Sequence, residues 1–354
     1  MPSSEGGFAG VGAGEGLSAR RPRGPAGPTP PASPDAWLRC KPASVLAGRG
    51  DREFYTFDLS GRLLEAYVGS VAYRRGLDGR VLARRTDRRL EGLSRRRRRM
   101  LGPRAARRLV ERAYQTAVQA LAALPAAGGR AAGGVDARGA KGFWPLSPEE
   151  LEADAARFRR IWEPIGILPP DQYLSVVLQL TVGCWYNRCT FCTFYRQRPF
   201  RVRSPEEFRR HVGEVVAFFG PGIARRHSIF LGDANALVLP ARRLIPYFET
   251  VATAFSFEGE GRTGGERGQE EGGNGASRPG PMDGVYAFLD AFSGRKKAVA
   301  EWKELADRHL RRVYVGLESG SDRLLAFLEK PGSAADAVAM VDAIRRAGVG
   351  VGVI

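Results

Sequence analysis

Three of the chain's four cysteines, Cys184, Cys189 and Cys192, fall within nine residues of the stretch "TVGCWYNRCTFCTFYRQRPF" (181–200), spaced C-x4-C-x2-C. Thiolate is the metal-binding form of cysteine, and Arg188 and Arg196 in the same stretch are expected to favour deprotonation. Closely spaced soft donors suit zinc or an iron–sulfur centre. Three donors do not close a tetrahedral site. Zinc would need a fourth ligand, and the three histidines, His211, His227 and His309, lack the paired spacing of a zinc finger. A plant-type [2Fe–2S] centre uses this same cysteine spacing with a distant fourth cysteine, but the spare here, Cys40, lies in the N-terminal leader. Three inert buried thiols are a further alternative, although Arg, Asn and Tyr beside them make a poor core. The remaining reading is a [4Fe–4S] cluster held by three thiolates with one iron left open.

The loop follows "YLSVVLQLTVG" (173–183), an apolar, β-branched run of the kind that forms a buried parallel strand. From residue 143 onward, strands and helices alternate. "HSIFLGDANAL" (227–237), "GVYAFLDAF" (284–292) and "RVYVGLES" (312–319) read as further strands, and "VGVGVI" begins a fifth. Between them, helices start at Ser147–Pro148–Glu150 and Ser204–Pro205–Glu207, each with a capping box, and at Ser333. Alternation through four units predicts an α/β fold with a parallel sheet and right-handed crossovers. In such sheets ligands bind at the C-terminal ends of the strands, where the thiols sit.

Residues 1–50, rich in Gly, Pro and Ala, read as a disordered leader with no signal-peptide core. Residues 51–125 read as a small basic α+β accessory module of short strands and a helix from about 103 to 124. Residues 126–142 read as a linker, and 143–354 as the core, with a low-complexity insertion at 258–284. The chain stops inside a strand-like run, so a fragment is expected. The formal charge is +17, yet six of the 55 basic residues are lysine and the other 49 arginine, a skew that genome composition produces as readily as phosphate binding does. The sharpest cluster, Arg95–Arg99 within 93–113, reads as an exposed helix start. Few cysteines and no disulfide framework predict a cytoplasmic protein, and no segment reaches the ~20 apolar residues of a membrane span.

The stretch "QLTVGCWYNRCTFCTFYRQRPFR" resembles the cluster loop of radical S-adenosylmethionine (radical SAM) enzymes, in the branch with GC-x-x-N-R-C-x-F-C; the commoner family spacing is C-x3-C-x2-C. "FLGDAN" after strand two and "GLESGSD" after strand four resemble further family elements in the right order. The resemblance implies a partial TIM-like (βα) barrel, truncated at about strand five. It implies a [4Fe–4S] cluster on Cys184, Cys189 and Cys192, and SAM near Phe191, Gly232, Asp233, Glu318 and Ser319. It further implies an external one-electron reductant of flavodoxin or ferredoxin type, acting with a small molecule or RNA as substrate. A non-catalytic iron–sulfur or zinc protein that binds nucleic acid is the alternative.

Overall fold

The computed structural model describes residues 35–88, 94–124, 142–258 and 281–354. The first unit is a seven-stranded antiparallel sheet in sequential order. Its strands are β1 (Ala36–Lys41), β2 (Ser44–Arg49), β3 (Glu53–Phe57), β4 (Leu63–Val68), β5 (Val71–Arg75), β6 (Val81–Arg88) and β7 (Ser94–Met100). Helix α1 (Pro103–Ala122) packs on β1–β4. Alternation sorts the strand residues. Glu53, Tyr55 and Phe57 of β3 are buried beneath α1, whereas Phe54 and Thr56 point the other way and are half-buried.

The second unit opens with α2 (Pro148–Ile161), then β8 (Val176–Gln179), β9 (Thr181–Val182), β10 (Arg201–Val202), α3 (Pro205–Phe219), β11 (Ile229–Gly232) and α4 (Ala241–Ala254). It continues through β12 (Val285–Asp290), α5 (Ala291–Gly294), α6 (Val299–Ala306), β13 (Leu310–Gly316), α7 (Asp322–Phe327), α8 (Ala334–Arg346) and β14 (Gly350–Val353). Strands β8, β11, β12, β13 and β14 form one parallel sheet in that order. Sequential order with crossovers of one hand puts the helices on one face. That face carries the main core, with Leu178, Leu231, Leu289 and Val315 against Phe208, Phe248, Trp302 and Met340. The other face holds a small cluster of Val177, Phe230, Phe288 and Tyr314, covered by Ile165 and Leu168 from the segment after α2. The capping boxes expected at Ser147 and Ser204 are formed, and Ser333 caps α8 with Asp336 as its reciprocal partner.

Three sequence expectations need correction. Ala36–Arg49 is not leader but the first hairpin of the sheet, because Leu38, Val45 and Ala47 supply an alternating apolar face that the neighbouring Pro- and Gly-rich composition hides. Arg95–Arg99 do not start a helix. They lie in β7, paired in antiparallel register with Ala83–Asp87 of β6, so tertiary pairing overrides the local preference. The insertion also ends earlier than expected: Met282 is fully buried and bridges to Phe257. Residues 1–34, 125–141 and 259–280, which carry the rest of the leader, linker and insertion assignments, lie outside the described residues.

The two units meet at a buried charge cluster. Arg62, in the turn between β3 and β4, donates to both carboxylate oxygens of Asp154 on α2 at 2.8 and 2.9 Å. It also reaches Asp58 and the carbonyls of Phe218 and Phe219 that end α3. A second buried group, His211 on α3, accepts the backbone N–H of Gln179 at 3.1 Å, where β8 ends. Burial, helped by Arg203, pushes this imidazole down to about 3. A depressed histidine contributes stability that is present above its unfolded value near 6.5 and lost as pH falls toward the folded value. Between pH 6.5 and 5, unfolding measurements should therefore show wild type losing up to about 2 kcal/mol relative to His211→Gln, whose amide oxygen keeps an acceptor without titrating. Parallel pH curves for the two proteins would count against this.

Candidate metal centre

β8 ends at Gln179, and the chain forms a narrow neck in which Thr181 and Val182 of β9 pair with Val202 and Arg201 of β10. The cysteine loop, 183–200, springs from this neck at the C-terminal end of the parallel sheet. Gly183 makes the turn with φ of +75°, and a Cβ there would lie 3.0 Å from the Arg198 carbonyl oxygen and 3.2 Å from that of Pro199. Both facts demand glycine. Gly183→Ala should cost roughly 1–3 kcal/mol in denaturant unfolding. Gly232, which the resemblance puts near the cofactor, has ordinary space: its added Cβ would meet Val177 at 3.5 Å. Gly232→Ala should unfold like wild type, so an equal loss in both variants would overturn the distinction.

The loop is tied down from beneath by two carboxylates at neighbouring strand ends. Asp233, just past β11, accepts from Arg198 Nη1 at 3.2 Å and from the Gly183 N–H at 3.4 Å, while its own N–H donates to Thr181 Oγ1 at 2.8 Å. Burial raises its carboxyl to about 6, although Arg198 opposes the shift. Asp290, the last residue of β12, caps α5 and accepts the indole N–H of Trp185 at 2.9 Å. Trp185 also stacks on Phe292, with ring centroids 5.8 Å apart. On the outer side, the Tyr186 hydroxyl donates to the Glu329 carbonyl at 2.6 Å and the Thr190 N–H to that of Leu328 at 3.0 Å. Asn187 holds the Tyr195 carbonyl at 2.8 Å across the loop.

The thiols themselves are half-buried. Burial raises Cys184, while the N–H groups of Tyr186 and Asn187 favour its thiolate. Burial raises Cys189 as well, and Lys330 pulls it back. The expected role of Arg196 is corrected. Its guanidinium donates to the carbonyls of Cys192 and Cys189 at 3.1 and 2.9 Å, so it braces the loop backbone. The sulfurs are close enough to influence one another's ionisation, but among the described residues no group of three His, Cys, Asp or Glu surrounds a single-ion position. Histidines do not supply a fourth ligand there. His211 is buried with Nε2 engaged, while His227 and His309 precede β11 and β13 at the opposite end of the sheet. Cys40 belongs to β1 of the other sheet. Three soft donors on a braced loop, with no fourth thiol beside them among the described residues, match the donor set of a cluster that leaves one metal unligated by protein.

The other expected cofactor contacts are on this loop or at the C-terminal ends of β11 and β13. Phe191 is on the loop itself and 48% exposed. Gly232 is the last residue of β11, directly before Asp233. Glu318 and Ser319 follow β13. Glu318 has φ of +61° and is salt-bridged to Lys330 at 3.1 Å, and the Ser319 hydroxyl accepts from the Ser321 N–H at 3.1 Å. Ser321 precedes α7 without a side-chain cap bond. Asp233 is engaged by Arg198 and by the Gly183 N–H. Sequence reasoning missed Trp185, Arg198, Lys297 and Lys330. Lys297 is buried, donates to the Leu237 carbonyl at 2.6 Å and is lowered by burial to about 8. A signal for the two lysines was present: only six lysines stand among 49 arginines.

No family model matches the chain, and no curated protein does. Among solved structures, the cobalamin-dependent S-adenosylmethionine radical enzyme OxsB, with aqua-cobalamin and S-adenosylmethionine bound, is similar at a TM-score of 0.37 and 18% identity, over 58% of this chain and 25% of that one. HydG, a maturase of the [FeFe]-hydrogenase, is similar at 0.33 and 16%, over 59% of this chain and 41% of that one. The chain thus spans a quarter of the first and under half of the second, and at these scores the site stands on its own residues. No helix among the described residues is long and apolar enough to cross a membrane.

Proposed function

We propose that this chain is a radical SAM enzyme whose residues 143–354 form part of a (βα) barrel and hold a [4Fe–4S] cluster through Cys184, Cys189 and Cys192. The observation that carries the reading is the placement of three thiols, and no fourth beside them among the described residues, on a braced loop at the C-terminal end of the first parallel strand. The chemistry such a group supplies is one-electron reductive cleavage of SAM to a 5′-deoxyadenosyl radical, which abstracts hydrogen from a substrate.

The protein's part is binding, orientation and exclusion of water. Backbone N–H groups of Tyr186 and Asn187 stabilise the Cys184 thiolate. Lys330 donates to the Glu318 carboxylate and favours the Cys189 thiolate, offsetting negative charge that three thiolates accumulate. Phe191, Gly232, Asp233, Glu318 and Ser319 are assigned to the cofactor rim, with Asp233 acting through Arg198 and Gly183. The substrate is a small molecule or RNA, and the electron comes from an external reductant.

The test is anaerobic reconstitution of the full chain with iron and sulfide, followed by electron paramagnetic resonance of the reduced protein before and after SAM. The expected results are a spectrum that changes on adding SAM and formation of 5′-deoxyadenosine. A reduced centre indifferent to SAM, or a protein that takes up zinc and no iron, overturns the proposal.

A further inference from the structure

The N-terminal sheet carries a second surface, independent of the cysteine loop. Antiparallel register lines up Trp37, Gly48, Phe54, Tyr67, Ala72, Arg84 and Arg98 in one row across all seven strands. This row lies on the face turned away from α1, since the alternate row contains Leu38, Ala47, Tyr55 and Ala66 of the helix-covered core. The Trp37 ring lies over Gly48, where a Cβ would come within 2.2 Å of it, and its indole N–H is fixed by the Gly50 carbonyl at 2.8 Å. Phe54 and Tyr67 stack with centroids 5.2 Å apart and planes 20° from parallel. The flanking row adds Arg39 and Arg74, with Glu65 bonded to Arg74 as its carboxylate. Arg84 and Arg98 sit directly opposite each other and are exposed, with no carboxylate partner among the described residues.

Like charges directly opposed on neighbouring strands are unfavourable for the sheet itself. A polyanion lying across them turns that cost into binding. We propose that this face binds single-stranded nucleic acid, with bases stacked on Trp37, Phe54 and Tyr67 and phosphates held by Arg84, Arg98 and Arg39. At about 4.8 Å per strand, the row from Phe54 to Arg98 covers about 19 Å, room for several nucleotides. Aromatic rings in line with exposed arginines suit alternating bases and phosphates, whereas insertion into a lipid surface needs protruding apolar side chains, and Trp37, Phe54 and Tyr67 are each half-buried. Facing arginines likewise disfavour a protein interface core, where charge is depleted.

The experiment is fluorescence anisotropy of the full chain with a labelled 12-nucleotide RNA, a DNA of the same sequence, and an RNA duplex, at several salt concentrations. Single strands should bind with a steep salt dependence and the duplex more weakly; the RNA and DNA arms decide between the two sources. Arg84→Gln/Arg98→Gln should weaken binding at least tenfold and flatten the salt slope. Tyr67→Leu should weaken it several-fold, Tyr67→Phe should leave it unchanged, and circular dichroism shows whether each variant folds. A charge-matched control on α3, Arg209→Gln/Arg210→Gln, should bind as wild type. The proposal is overturned if the control loses as much as the paired variant, if Tyr67→Leu binds unchanged, or if the chain binds anionic-lipid vesicles but no single strand.

Discussion

Arg62→Ala lowers the unfolding free energy by about 3–5 kcal/mol and separates the melting of the two units. The magnitude follows from what the substitution leaves behind. Arg62 is only 4% exposed, as is Asp58, and Asp154 is 8% exposed. Breaking a buried ion pair from one side strands charge in a poorly solvated place, and that is the expensive case. Here two carboxylates lose their partner together, and the Phe218 and Phe219 carbonyls at the end of α3 lose the cation that satisfies them. Burial already raises Asp58 despite Arg62 beside it, so without the guanidinium its ionised form becomes still less tolerable. The neighbouring contacts of Ser60, which donates to the Phe219 carbonyl at 2.7 Å, depend on the same turn. Urea unfolding followed through tryptophan fluorescence checks this, because Trp37 reports on the first sheet and Trp302 on the core of the second. The double variant Arg62→Met/Asp154→Leu should recover only part of the loss, since it removes one of the two stranded carboxylates and leaves Asp58 without its cation. A cost below about 1 kcal/mol for Arg62→Ala, in the range of exposed pairs, would show that the units are joined by something else.

Legibility in the sequence divides along physical lines. The second unit was readable because each element advertises itself. "VVLQ" and "IFLG" are four buried residues in a row, and the Ser–Pro–x–Glu starts of α2 and α3 specify their own caps. The first unit was partly hidden because a sheet covered on one face repeats every second residue, and polar residues on its open face dilute the signal. Trp37, Arg39 and Lys41 point away from the core in β1, so the strand resembles a linker. In β7 consecutive arginines carry no alternation at all, and only pairing with β6 fixes the conformation. The same division runs through the site. Local spacing exposed the three cysteines, whereas Trp185–Asp290 and Arg198–Asp233 are contacts across 105 and 35 residues, set by which strand ends are neighbours. Asp290 could be singled out as the end of an apolar strand, but not its use as the acceptor for a tryptophan in the cysteine loop.

Serine at Cys184, Cys189 or Cys192 should reduce iron retained after anaerobic reconstitution at least tenfold, with the sulfur-to-iron charge-transfer absorption falling in parallel. Serine at Cys40 should change neither. The contrast rests on position: the first three thiols share one braced loop, while Cys40 lies on β1 of the separate antiparallel sheet. Serine is nearly isosteric with cysteine but offers a hard oxygen of high pKa in place of a soft thiolate, so it removes the donor without opening a cavity. Because Asp233, Asp290, Leu328 and Glu329 anchor the loop through other residues, the variants should unfold like wild type in the absence of iron. Loss of iron from Cys40→Ser would mean that a fourth cysteine completes the ligand set, and the open position required for SAM would not exist. Full retention in any single loop variant would mean that the three sulfurs do not act together, and would remove the basis of the assignment.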